Sequence, residues 1–357
     1  MTMTRRRTVV ALASILLIAS VAACDLVEGD KVTAEVRSGP LPELDVVVDT
    51  DMHPEDWLAI LYLASEPDVT IRAVTVAYGS VVGCTAGVAI ARDLLADVGL
   101  PEVPVACGPP TPPGGTPFPV EWAEEAVSVA ASLGWTADDG DPPGAPTDVT
   151  DAVSLLRAFV ADGPVTIVSL GPPTNIAALF DDPTWDRKAV ERVVQMAGAV
   201  DVPGNVEAFG SVKAMPSVEW NAAVDPAALA TVLGGEVEVV LVSLDGTNSV
   251  PLRPADIDRL TADRSTKAAT IVATILESQR EFAEAGGYYL WDALGAVTAR
   301  QPDVARIERI PLKVSLEAGE AGRTVRDPTG DAIRVTVEAD AEGLERILLD
   351  ALLGRAR

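Results

Sequence analysis

Leu44-Asp45-Val46-Val47-Val48-Asp49-Thr50-Asp51-Met52-His53-Pro54-Glu55-Asp56-Trp57 is the stretch on which the fold turns. Its apolar run has strand composition, and the Trp57-Leu58-Ala59-Ile60-Leu61-Tyr62-Leu63-Ala64 that follows reads as a helix. Strand, tight loop and helix put Asp49, Asp51, Glu55 and Asp56 at the carboxyl end of a strand, where open α/β sheets place their ligands. Four carboxylates within eight residues repel one another unless a cation or a shared proton relieves them. Oxygen-only ligands point to a hard cation, calcium or magnesium. A single acid there would read as a helix-capping residue on a solvated loop. Four of them after a buried strand read as a site.

Outward from this stretch, strand-like runs recur at 69–78, 103–108, 164–170, 193–196 and 237–244. Helical spacing lies between them at 86–95, 121–133, 149–161, 266–285, 291–300 and 341–353. Thr147 is the expected N-cap of the third of these, Thr174 that of a helix opening Thr174-Asn175-Ile176-Ala177, and Pro226 starts another. Residues 309–339 alternate like a two-stranded β unit around Asp327-Pro328-Thr329-Gly330. Residues 108–148 are rich in Pro and Gly, and a loop of that length is usually functional or disordered. Strands alternating with helices predict an α/β fold: an open, mostly parallel (mixed) sheet with helices on both faces.

The chain's beginning reads differently. Arg5-Arg6-Arg7 precede an apolar stretch over 9–21 that is too short to span a bilayer comfortably, the pattern of a secretory signal. Val21-Ala22-Ala23-Cys24 resembles a bacterial lipobox, which implies that Cys24 is lipidated and becomes the mature N-terminus. The expected division is a lipoprotein signal over 1–23, a polar tether over 24–43 and one catalytic domain over 44–357. The expected location is the outer face of the cytoplasmic membrane, held there by the lipid alone. With 53 acidic against 27 basic residues, a formal charge of -26, the surface should repel nucleic acid and anionic headgroups. Cys84 and Cys107 either pair or remain two buried thiols; no Cys/His pattern suggests zinc.

Four separated motifs line up in order. They are Asp49-Thr50-Asp51 with Glu55-Asp56; Val168-Ser169-Leu170-Gly171-Pro172-Pro173-Thr174-Asn175-Ile176-Ala177; Met196-Ala197-Gly198-Ala199 with Gly204-Asn205, Glu219-Trp220-Asn221 and Asp225-Pro226; and Tyr289-Leu290-Trp291-Asp292-Ala293. Together they resemble the inosine-uridine-preferring nucleoside hydrolase family from about Asp45 onward. The resemblance implies calcium-dependent hydrolysis of a ribonucleoside N-glycosidic bond. It implies that Asp51, Asp56 and Asp292 ligate Ca2+ through side chains and Leu170 through its carbonyl, with Asp51 also the general base for water. It places Glu55 and Asn221 at the ribose 2′-hydroxyl, Asn205 and Glu219 at the 5′-hydroxyl, and Met196 under the sugar; Asp292 borders the substrate as well as the metal. Such a reaction passes through an oxocarbenium-like transition state, which a cation gripping two ribose hydroxyls would orient. Relatives are commonly dimers or tetramers, so a homo-oligomer is an expectation.

The chain departs from the family at three points: Glu55 replaces the usual Asp, His53 a small residue, and Ser80 an asparagine. Many relatives protonate the departing base with a histidine just before the last metal aspartate, where this chain has Trp291. Histidine acid catalysis from that position is excluded, and a purine-preferring subgroup with tryptophan there suggests stacking. His53, the chain's one histidine, is expected to be a loop residue bonded to backbone. Trp122 either supplies a second stacking face or anchors the long loop; Trp57 and Trp220 read as packing residues, and Tyr288 and Tyr289 as lining of a base pocket. Two other functions compete. A haloacid dehalogenase-type phosphatase would use Asp49 as nucleophile and Asp51 as acid, but none of the chain's lysines matches the one it needs. A lipid-anchored nucleoside- or calcium-binding protein would keep the pocket without turnover.

Overall fold

The computed structural model describes residues 41–111, 114–136, 151–207 and 212–355. The signal, Cys24, most of the tether and Thr147 lie outside the described residues. The chain begins its sheet with β1 (Leu44–Thr50), followed by α1 (Pro54–Ser65), β2 (Val69–Val76), α2 (Cys84–Asp97) and β3 (Val105–Cys107). Then come α3 (Val120–Leu133), α4 (Ala152–Ala161), β4 (Val165–Ser169), α5 (Thr174–Phe180) and β5 (Val190–Met196). The next elements are α6 (Trp220–Val224), α7 (Pro226–Leu233), β6 (Val239–Val242), α8 (Leu244–Thr247), α9 (Pro254–Thr261), α10 (Lys267–Ser278) and α11 (Arg280–Glu284). The last are α12 (Trp291–Arg300), β7 (Ala305–Val314), β8 (Thr324–Arg326), β9 (Asp331–Ala339) and α13 (Ala341–Leu352).

The strands form one sheet in the order β3-β2-β1-β4-β5-β6-β9-β7-β8. Pairing is parallel from β3 across to β9, and β9-β7-β8 is antiparallel. This is the open mixed sheet that the alternation of elements predicts. Its order reverses between β1 and β4, so the crevice at their carboxyl ends is the topological switch point where such sheets bind ligands. The period-2 alternation of the strands divides the core: Val46, Val48, Val168 and Val194 face a cluster that includes Trp57 and Leu294, while Val47, Ile167 and Val193 face one that includes Ile176 and Leu229. Helices therefore cover both faces. Among the described residues no helix is long and apolar enough to cross a membrane.

Several local expectations are corrected. The expected two-stranded unit near the C-terminus has three strands, because β7 is long enough to pair with β9 on one side and β8 on the other. The expected helix over 266–285 is two helices, α10 and α11, separated at Gln279. Thr174 is not the N-cap of α5; it is the first helical residue, and its hydroxyl donates to Asp225 Oδ2 at 2.7 Å. Asp151 caps α4 by accepting from Ser154 N. Cys84 and Cys107 are paired across a Cα–Cα distance of 5.6 Å, tying the start of α2 to the end of β3.

Candidate active site

The site grows from the turn after β1. Met52 takes a positive φ of 62°, which reverses the chain between strand and helix, and its buried side chain stays in the core. Thr50 secures the turn twice: its Oγ1 accepts from Met52 N at 2.9 Å and donates to Asp56 Oδ1 at 2.5 Å. Trp57 Nε1 donates to Met52 O at 3.2 Å, so Trp57 is the packing residue expected. Pro54 occupies the first turn of α1, and Asp56 follows it there; Asp292 sits likewise in the first turn of α12. These two helix starts, both at the carboxyl edge of the sheet, favour anionic side chains through their exposed N–H groups.

Asp51, Asp56, Asp292 and Glu219 are 4%, 1%, 2% and 2% exposed, far below the norm for carboxylates. Burial first, then the charge of Asp56, pushes Asp51 well above the usual range. Burial pushes Asp56 up to about 6 against the hydrogen bond from Thr50. Burial and then the charges of Asp56, Glu55 and Asp51 raise Asp292 strongly, and burial with Asp56, Glu219 and Glu125 raises Glu55. The sequence-predicted acids are thus one electrostatic cluster. Asp56 Oδ2, Asp292 Oδ1 and Glu55 Oε2 are buried without a hydrogen-bond partner. Asp51 Oδ1 accepts from His53 N at 3.1 Å.

The β4 loop closes the other side. In the parallel register Asp49 stands opposite Ser169, which brings Leu170 and Gly171 beside Asp51. A Cβ on Gly171 would lie 2.7 Å from Asp51 N and 2.9 Å from its Cβ, so only glycine permits this approach. Leu170 O accepts from Asn221 Nδ2 at 2.8 Å, and the same amide reaches Met196 O at 3.1 Å. Asn221 therefore clamps two carbonyls and keeps its own side-chain oxygen for other contacts. Glu219 caps α6, accepting from Asn221 N, Ala222 N and Gly198 N, so its carboxylate holds the loop geometry as well as lining the site. Asn205 Oδ1 accepts from Trp220 N at 3.1 Å. Met196 is buried at the end of β5 and packs with Trp291 and Leu244.

Asp49, from the first motif, and three residues not singled out as site residues, Thr75, Asn175 and Gln195, support this frame. Asp49 Oδ1 accepts from Thr75 Oγ1 at 2.6 Å and Asn175 Nδ2 at 2.7 Å, and burial pushes its carboxyl up to about 7. Gln195 Nε2 donates to Gly171 O and Met196 O. Asn175 lies within the quoted second motif; Gln195 and Thr75 sit next to the carboxyl ends of β5 and β2 and carry no sequence signal of a polar task. His53 corrects an expectation: its backbone N–H makes the local hydrogen bond, while its ring stands 3.7 Å from Glu55 Oε1 and 5.5 Å from the Trp122 ring. Trp122 also meets Trp220 at 4.9 Å and Phe118 at 5.8 Å, so it is packed to the body and borders the site at once. Trp291 begins α12 with its ring 5.3 Å from Tyr288 and 5.6 Å from Tyr289.

Among the described residues no three His, Cys, Asp or Glu side chains stand as a closed metal-ligand set. The donor chemistry fits a hard cation nonetheless: oxygen atoms only, buried, mutually repelling, with lone pairs that no protein donor uses.

The model of the family described as inosine-uridine preferring nucleoside hydrolase matches residues 46–346. The chain belongs to that family. A pyrimidine-specific ribonucleoside hydrolase RihA of Salmonella agona is 30% identical over 248 residues, which cover 67% of this chain and 72% of that one. A solved plant nucleoside hydrolase has 26% identity and a TM-score of 0.73, over 87% of this chain and 99% of that one. A purine-preferring ribonucleoside hydrolase from Gardnerella vaginalis superposes with a TM-score of 0.68 over 87% of this chain and 98% of that one; at 24% identity it speaks for the fold. With the family assigned, the phosphatase alternative loses its support.

Proposed function

We propose that this ribonucleoside N-glycosyl hydrolase depends on calcium, prefers purine nucleosides and acts outside the cytoplasmic membrane on a lipid anchor at Cys24. The observation that carries the calcium reading is the set of buried carboxylate oxygens without partners at the switch point, on Asp56 and Asp292. Asp51, Asp56, Asp292 and the Leu170 carbonyl would hold the ion, which when bound grips the ribose diol and acidifies a water. Asp51 takes the proton of the attacking water. Glu55 and Asn221 orient the 2′-hydroxyl, Asn205 and Glu219 the 5′-hydroxyl, and Met196 supports the ring from below. The buried acids favour the positive charge that develops on the sugar, so attack by water needs no covalent sugar–enzyme intermediate.

Purine preference is supported by the aromatic border of Trp291, Trp122 and Tyr288, since stacking strengthens with the size of the base. The curated RihA relatives are pyrimidine-specific by name, but about 30% identity does not carry base choice across. A panel of purine and pyrimidine ribonucleosides, assayed for reducing sugar with and without chelator, tests the reading. Release of ribose that is undiminished by chelator would remove calcium from it, and faster turnover of uridine than inosine would remove the purine preference.

A further inference from the structure

The border of the site formed by α3 has a chemistry of its own. Trp122 and Glu125 lie three residues apart on α3 and so share one face of the helix. Trp122 is in ring contact with His53, in the turn that carries the acids. Glu125 Oε1 accepts a hydrogen bond from Nε2 of Gln279, the buried residue at which α10 breaks from α11. Its charge bears on Glu55 and on Tyr288. Tyr288 is 2% exposed, its hydroxyl has no hydrogen-bond partner, and its ring lies against Trp291. Three separate elements thus bring a carboxylate, a fixed amide, an unpartnered phenol and two indoles to the border of the sugar site.

We infer that Glu125, oriented by Gln279, is a specificity-determining residue that accepts the N–H groups on the edge of the nucleoside base and selects guanine. This rests on the nucleoside hydrolase reading and deepens it. A carboxylate is an acceptor only, and each of its oxygens has two lone pairs, so Oε1 keeps capacity beyond Gln279. Guanine offers adjacent ring and exocyclic N–H donors, which a carboxylate accepts in pairs. Hypoxanthine offers the ring N–H alone. Adenine sets an amino group beside a ring-nitrogen lone pair, and uracil flanks its N–H with two carbonyls; both oppose a carboxylate. The surrounding acids, Glu55 and Asp292 among them, reinforce the demand for donors on the base. The expected order is guanosine, inosine, then adenosine and uridine.

The test compares the full chain with Glu125→Gln, which keeps the shape and the contact with Gln279 but adds a donor. Steady-state kcat/KM is measured for guanosine, adenosine and p-nitrophenyl riboside, whose leaving group has no base edge. The guanosine-to-adenosine ratio should fall about tenfold or more in the variant, and guanosine should lose more than the nitrophenyl riboside. Equal losses on all three substrates, or an unchanged ratio, overturn the inference while leaving the hydrolase reading intact. Dissociation constants from quenching of tryptophan fluorescence give the same ratio without turnover. Guanosine selectivity in binding with no ribose release keeps the inference and sinks the hydrolase reading, and failure to bind any nucleoside sinks both.

Discussion

Asp51 and Trp291 bear the heaviest proposed tasks, and each makes a separate prediction. Asp51 sits where burial and Asp56 strain its ionisation and where, among the described residues, His53 N is the backbone donor to its carboxylate. Asp51→Ala should therefore lower kcat by about 10²–10⁴, the range of a lost general base. Without divalent cation its melting temperature should not fall, because one mutually repelling charge is gone. Wild-type turnover in the variant, followed by reducing-sugar release, would dismiss Asp51 as the base. Trp291→Ala should cost purine nucleosides about tenfold in kcat/KM, in keeping with base–aromatic stacking, and pyrimidines less. An equal loss on inosine and uridine would mean that the indole only packs beside Tyr288. His53 shows the limit of reading residues one at a time. The sequence names it as unusual for its loop, but only the fold reveals that its ring faces Trp122 and that burial lowers it to about 4, neutral at ordinary pH.

At the scale of elements, the Cys84–Cys107 bridge fastens α2 to β3 immediately before the segment that leads to Phe118, Trp122 and α3. Closing a loop with a sequence separation of 23 removes unfolded-state freedom worth roughly 3 kcal/mol. The reduced protein, or Cys84→Ala with Cys107→Ala, should unfold at correspondingly lower denaturant, and the aromatic border should loosen before the sheet does. Identical midpoints for oxidised and reduced protein would show that the bridge contributes nothing. Strand and helix types are legible where a strand is a short apolar run and a helix has its own period, and not in a strand such as β8, Thr324–Arg326. Breaks such as Gln279 are not, since α10 and α11 carry helical spacing straight through it and the interruption coincides with a tertiary contact to Glu125.

For the whole molecule, the acid cluster couples pH, cation and stability. Asp49 rises to about 7 and Asp56 to about 6 from an ordinary 3.8, so the fold favours their protonated forms. The stability they lend is complete below the ordinary value and is lost as pH rises through the folded-state values. Without divalent cation the melting temperature should therefore fall as pH climbs from about 5 to about 7. A cation needs the ionised ligands, so stabilisation by added calcium should grow over the same window. Thermal melts with chelator and with calcium across that range check both slopes; a flat profile unaffected by calcium would remove the cation from the cluster.

The sequence by itself determined the type of fold and the chemistry of the donors. Alternating periods 2 and 3.6 dictate an α/β sheet, and acids placed directly after a buried strand can only emerge at its carboxyl edge. The motifs around Leu170, Glu219 and Asp292 carried the family with them. Only the tertiary structure decided which distant residues meet. The β1–β4 register sets Leu170 beside Asp51, α1 packs against α12, and Asn221 bridges the carbonyls of Leu170 and Met196, which follow β4 and end β5. Glu125, Gln279 and Gln195 acquire their tasks there too, because a polar residue's role follows from the neighbours it is buried against, and those neighbours are set by packing across the sheet rather than by spacing along the chain.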